Sequence, residues 1–127
     1  MKILVVEDNF INRNLLVSML SRYGTCDVAV NGEEAVAAFK EYISEPYDLI
    51  CLDINMPVKN GQEALKEMRA YEHETNNTSG ASKIIMTTSL DDSKNILEAF
   101  KEQCDGYLVK PIHLDKVKEL LTSLKLI

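Results

Sequence analysis

Five short apolar runs punctuate the chain: KILVV (2–6), CDVAV (26–30), DLICLD (48–53), KIIMTT (83–88) and GYLVK (106–110). Their length and their content of β-branched residues predict strands. Between them the apolar positions change to helical spacing. Ile11, Leu15, Met19 and Leu20 share one face, then Ala35, Val36, Phe39 and Ile43, then Leu65 and Met68, then Ile96, Ala99 and Phe100, and finally Val117, Leu120, Leu121 and Leu124. Five strand-helix units in succession predict an α/β fold with a parallel sheet covered by helices on both faces, since parallel strands need crossovers. The runs of strands 1 and 3 are continuous enough to be central. Asn31, with Glu34 three residues on, is a plausible helix N-cap, residues 91–93 are cap-like, and His113 stands where a better cap is expected. The stretch YEHETNNTSGAS (71–82) is polar and without period, and is expected to be a loop at the amino ends of the strands. That places it far from the carboxyl-end crevice where open α/β sheets bind ligands.

At 127 residues the chain fits one domain with a sizeable core, so residues 1–127 are expected to form a single unit with no output domain. A net charge of -6 gives no basic footprint for direct nucleic-acid binding. Cys26, Cys51 and Cys104 are odd in number and far apart, which argues for reduced core thiols and against a disulfide framework or zinc site. The opening MKILVVEDN is too short in apolar residues for a signal peptide or membrane span, and a cytoplasmic protein is expected.

Charge sharpens this picture at VVEDN (5–9), where the first apolar run ends in two adjacent carboxylates. Side by side they repel unless a cation is near. The carboxyl ends of the strands carry Glu7 and Asp8, then Asp53, Thr88 and Lys110, and a parallel sheet brings all five to one rim. Oxygen donors without His or Cys favour Mg²⁺ over zinc, so Glu7 and Asp8 read as half of a metal site completed by Asp53.

At these residues the chain resembles the receiver domains of two-component response regulators, the CheY-like fold. The matching stretches are VVEDN, LDINMPVKNG, IIMTTS and DGYLVKPI, in order and at the right strand ends. The resemblance implies the strand order 2-1-3-4-5. It implies that Asp53 accepts a phosphoryl group from a histidine kinase or histidine phosphotransfer protein. It further implies that Asp8 binds Mg²⁺ directly, Glu7 largely through water, and the Asn55 carbonyl as a further ligand. Lys110 would contact a phosphoryl oxygen, with a cis bond to Pro111, while Pro57, Gly61 and Pro111 shape the loops. Thr88 would turn toward the phosphoryl group and Tyr107 would move inward. That would alter the face of the fourth helix, fifth strand and last helix for a downstream target protein. Such a chain is no enzyme toward a separate substrate, although it helps catalyse its own phosphorylation and dephosphorylation. A monomer or weak phosphorylation-dependent dimer is expected.

Thr87 and Ser89 flank Thr88, and strand alternation with the preceding apolar residues favours Thr88. The family usually has Ala where Ser89 stands, and an acidic residue where Asn60 stands; little effect is expected from Asn60. Phe10 and Leu90 are apolar beside the rim and read as partner contacts, as devices that limit water access, or as ordinary exposed residues. A half-buried edge aromatic is the commoner fate of such a residue as Tyr107, and the switch role is preferred over it. His73 and His113 read as surface residues. EDNFINRNLL and NMPVKNG look more like receivers of hybrid kinases and phosphorelays, so a fragment of a sensor kinase is an alternative. A haloacid-dehalogenase-type phosphatase would place an acid two residues after the nucleophile, where this chain has Asn55, which cannot transfer protons. A nucleotide binder would need a glycine-rich loop after strand 1, which EDNFIN lacks. An unphosphorylated interaction module is the remaining alternative.

Overall fold

The computed structural model describes residues 1–56, 58–75, 81–89, 99 and 103–127. Five parallel strands, β1 (Lys2–Val6), β2 (Thr25–Ala29), β3 (Leu49–Asp53), β4 (Lys83–Thr88) and β5 (Gly106–Val109), form one sheet in the order β2-β1-β3-β4-β5. This is the 2-1-3-4-5 order that the resemblance implied. Four helices are seen among the described residues: α1 (Phe10–Leu20), α2 (Gly32–Glu41), α3 (Gly61–Glu74) and α4 (Leu114–Ser123). The fourth helix expected from the sequence, its cap at 91–93, Leu90, Ile96 and Phe100 lie outside the described residues; Ala99 is helical and buried. No helix among the described residues is long and apolar enough to cross a membrane.

Strand alternation splits the core in two. Leu4, Val6, Ile50, Leu52, Ile84 and Met86 pack under α2 and α3. Ile3, Val5, Leu49, Cys51, Ile85 and Leu108 pack under α1 and α4. All five residues of β3 are buried, as expected of a central strand with helices on both faces. β2 is an edge strand, and its Val28 is 52% exposed. Cys51 and Cys104 are buried and Cys26 is partly so, and all three thiols are free.

The helix ends are capped by local sequence. Asn31 Oδ1 accepts from the Glu34 N–H at 2.8 Å, and Glu34 Oε1 accepts from the Val30 N–H at 3.1 Å. His113 occupies the N-cap of α4 without a side-chain bond, as its poor capping chemistry suggests.

Two expectations need correction. Ile11 and Leu15 do not face the core: they are 75% and 45% exposed, and α1 buries Leu16 and Leu20 instead. The helix carries two adjacent i, i+4 apolar stripes, and the sheet covers only one. Residues 71–74 are not loop, because α3 runs on to Glu74 with Thr75 as C-cap. The reason is tertiary. Glu72, 2% exposed, accepts from Arg69 Nη1 at 2.7 Å and from the Ser82 N–H at 3.0 Å. Arg69 also donates to the carbonyls of Gln103 and Ser82 at 2.9 Å and to Asp105 Oδ2 at 2.8 Å. This clasp ties α3 to the starts of β4 and β5, at the opposite end of the sheet from the acidic rim.

Candidate functional site

The acidic rim is built from strand ends. Glu7 follows β1 directly and is fully buried, Asp8 beside it is exposed, and Asp53 closes β3 with 4% exposure. Each offers a carboxylate oxygen, and these oxygens lie within 4.8 Å of one another. Lys110, just past β5, reaches in from the far side. Its Nζ donates to Glu7 Oε1 at 2.7 Å and to Asp53 Oδ2 at 3.2 Å. Glu7 Oε2 accepts from the Asn9 N–H and Asp53 Oδ1 from the Asn55 N–H, both at 3.2 Å.

Three carboxylates against one ammonium leave net negative charge where two of the acids are buried. The Asp8 carboxyl is pushed above the usual carboxylate range by desolvation first, then by its hydrogen bond to Glu7 and the repulsion from it. For Lys110, burial alone would lower the ammonium's pKa. The hydrogen bond to Glu7 and the attraction of Asp53 and Glu7 outweigh burial, so it is raised. An all-oxygen donor set with excess negative charge fits a hard divalent cation such as Mg²⁺, held by Glu7, Asp8 and Asp53.

Backbone packing holds these side chains in place. Asn9 caps α1, its Oδ1 accepting from the Asn12 N–H at 3.0 Å, and Arg13 Nη1 donates back to the Glu7 carbonyl at 3.0 Å. The turn carrying the two acids is therefore pinned from both sides. Gly61 opens α3 with its N–H on the Ile54 carbonyl at 2.9 Å; a Cβ there would stand 2.2 Å from the Asp53 carbonyl oxygen. Glycine is thus required by close approach. Asn60 and Glu63 form a complete capping box at the same helix start. Val58, 75% exposed, takes φ 68° in this loop. Pro57 lies outside the described residues.

The structure brings Glu7, Asp8, Asp53 and Lys110 into one cluster. The Lys110–Pro111 peptide bond is cis. Asn55 is exposed at the rim and donates its N–H to Asp53. Thr88, 1% exposed, donates its hydroxyl to the Ser89 carbonyl at 3.1 Å, and its own carbonyl accepts from the Lys110 N–H at 2.7 Å. Alternation does not single out Thr88, because it is Thr87, two residues after Ile85, that shares the sheet face of Glu7 and Asp53. Tyr107 is 44% exposed on the side of β5 opposite Leu108. His73 and His113 are surface residues. Phe10 is 66% exposed beside the rim, with Ile11 and Leu15 next to it. The sequence reading missed the capping roles of Asn9 and Asn60, although NGQE shows the capping-box spacing, and it missed Arg13.

Comparison with known proteins agrees with this geometry. The model of the response regulator receiver domain matches residues 3–122. The chain is 35% identical to the chemotaxis protein CheY of Halobacterium salinarum over 127 residues, covering 96% of this chain and 98% of that protein. Several other curated relatives are histidine kinases, of whose length the chain spans 3 to 15%. Among solved structures, the receiver domain of Ssk1 in complex with the histidine phosphotransfer protein Ypd1, from Saccharomyces cerevisiae, is 30% identical with a TM-score of 0.83, covering 100% of this chain and 92% of that one. The receiver domain of the sensor histidine kinase PA1611 from Pseudomonas aeruginosa, with a magnesium ion in its active site cleft, is 26% identical with a TM-score of 0.79, covering 96% and 94%. The chain belongs to the response regulator receiver domain family.

Proposed function

We propose that this receiver is a phosphoacceptor, with Asp53 taking a phosphoryl group from a phosphohistidine on a histidine kinase or histidine phosphotransfer protein. The observation that carries the reading is the clustering of Glu7, Asp8 and Asp53 within 4.8 Å around the Lys110 ammonium. An Asp53 carboxylate oxygen attacks phosphorus in line, the P–N bond to the donor imidazole breaks, and the electron pair returns to the ring nitrogen. An acyl phosphate results. In hydrolysis, water attacks phosphorus, the P–O bond to Asp53 breaks, the carboxylate is restored and inorganic phosphate leaves. Mg²⁺ held by Glu7, Asp8, Asp53 and the Asn55 carbonyl would offset the repulsion between the acids and the incoming dianion. Lys110 places its charge on a phosphoryl oxygen. The chain turns over no separate substrate, and Asn55 cannot serve as the second acid of a phosphatase.

The exposed Phe10, Ile11 and Leu15 beside the rim give the phosphodonor an apolar surface to dock on. The signal leaves through Thr88 and Tyr107 to a downstream protein, on the face that β5 and α4 contribute to. One hydrogen bond to a charged acceptor gives about 1.5 to 3 kcal/mol, whereas moving a population from one per cent to ninety-nine takes about 5.5 kcal/mol. Lys110 and repacking therefore share the switch with Thr88. The same chemistry serves a stand-alone cytoplasmic receiver or one within a longer kinase, and relatives of both kinds match.

Intact mass after incubation with acetyl phosphate and Mg²⁺ tests the reading. A gain of one phosphoryl group that needs Mg²⁺ and disappears in Asp53→Asn is expected. No gain from either acetyl phosphate or a phosphorylated histidine phosphotransfer protein would overturn it.

A further inference from the structure

Thr87 is fully buried, and among the described residues its hydroxyl has no hydrogen-bond partner. A buried unpaired hydroxyl costs stability, so a partner in another state of the protein is the natural reason to keep one. Its position narrows the choice. Ile3, Val5, Leu49, Cys51, Ile85 and Leu108 mark one face of the sheet. Two residues further along each strand direction, the same face carries Glu7, Asp53, Thr87 and Lys110. In sheet order these stand at the ends of β1, β3, β4 and β5, and Thr87 pairs with Asp53 on one side and Leu108 on the other. To reach Asp53 and Glu7 from β5, the Lys110 side chain has to cross β4. Thr87 is the last β4 residue on that face and stands beside Asp53, the carboxylate that Lys110 reaches.

An ammonium carries three N–H donors, and Glu7 and Asp53 take two of them. We propose that Thr87 is a positioning residue for Lys110, its hydroxyl accepting a hydrogen bond from the ammonium once a phosphoryl group on Asp53 draws Lys110 off Glu7. The inference rests on the phosphoacceptor reading above. A neutral hydroxyl suits this role, because it orients the ammonium without competing for its charge against the phosphoryl oxygen. Valine has the same shape and offers no acceptor.

The test follows phosphoryl gain from acetyl phosphate and its loss, by intact mass with Mg²⁺, in wild type, Thr87→Val, Thr87→Ser, Lys110→Met and the double variant Thr87→Val with Lys110→Met. Losing one hydrogen bond to a charged group, formed on the way to the phosphorylated state, should slow phosphoryl gain by roughly tenfold in Thr87→Val without slowing phosphoryl loss, whose starting state already holds the bond. Thr87→Ser should return to within about threefold of wild type, and Thr87→Val should have no further effect where Lys110 is already Met. Urea unfolding of the unphosphorylated proteins should find Thr87→Val at least as stable as wild type. A wild-type rate of phosphoryl gain in Thr87→Val, or an equal slowing of gain in the Lys110→Met background, would overturn the inference alone. So would a Thr87→Val protein less stable than wild type, because the hydroxyl would then have its partner before phosphorylation. A wild type that takes up no phosphoryl group would instead overturn the phosphoacceptor reading and this inference with it.

Discussion

Removing the Lys110 cation is the most direct probe of the rim. Lys110→Met keeps most of the aliphatic stem but leaves Glu7, fully buried, and Asp53, 4% exposed, facing each other without compensation. At the 2.7 and 3.2 Å separations seen here, Coulomb attraction at an effective dielectric near 20 is worth about 6 and 5 kcal/mol before desolvation. The variant does not lose that much, because desolvation of the ammonium and the two acids already offsets most of the attraction. Metal-free Lys110→Met should lose about 3 kcal/mol at pH 7, in line with other broken buried pairs. If the acids hold Mg²⁺, metal at a hundredfold its dissociation constant should return about 2.7 kcal/mol. Urea unfolding followed by circular dichroism at pH 7, with chelator and with Mg²⁺, reads both quantities. A loss below about 1 kcal/mol would show that Lys110 does not neutralise this site.

Asp8→Asn should remove Mg²⁺-dependent stabilisation while raising metal-free stability at pH 7 by a few tenths of a kcal/mol, solvent screening keeping the gain small. The sign follows from the upward displacement of the Asp8 pKa: the folded state holds this proton more tightly, so the stability it lends is complete below the ordinary carboxylate value and lost as pH rises through the folded one. Metal-free wild type should therefore gain stability on acidification through that window relative to Asp8→Asn, as measured by urea midpoints. Gly61→Ala should cost about 1 to 3 kcal/mol and slow phosphoryl gain, since the new methyl meets the Asp53 carbonyl at 2.2 Å and must displace it. Val58→Asn should stabilise by about 1 kcal/mol, because a β-branched residue is strained at φ 68° and asparagine tolerates that region; thermal unfolding reads the shift.

Much of this protein is legible along the chain. The five apolar runs became the five strands, with β2 displaced by one residue, because strand formation here follows local apolar content. The rim was legible for a related reason: in a parallel sheet every strand's carboxyl end points the same way, so Glu7, Asp8, Asp53 and Lys110 converge once the strands are placed. The caps at Asn31 and Asn60 are likewise local, set by a side chain and a backbone N–H three residues apart.

What no local pattern could decide is which of two competing arrangements the neighbours select. Both apolar stripes of α1 satisfy helical spacing, and only docking on the sheet leaves Leu16 and Leu20 inside and Ile11 and Leu15 outside. Residues 71–74 look like loop until Arg69 binds Glu72, Ser82, Gln103 and Asp105 and gives that polar turn partners. Lys110 bonds Glu7 across 103 positions of sequence, and Thr87 stands beside Asp53 on the same sheet face only because β4 pairs with β3. The elements and the chemistry at their ends follow from short-range spacing and can be read along the chain. Which faces are buried and which charges meet depends on contacts between residues far apart in the chain, and only the packed fold settles it.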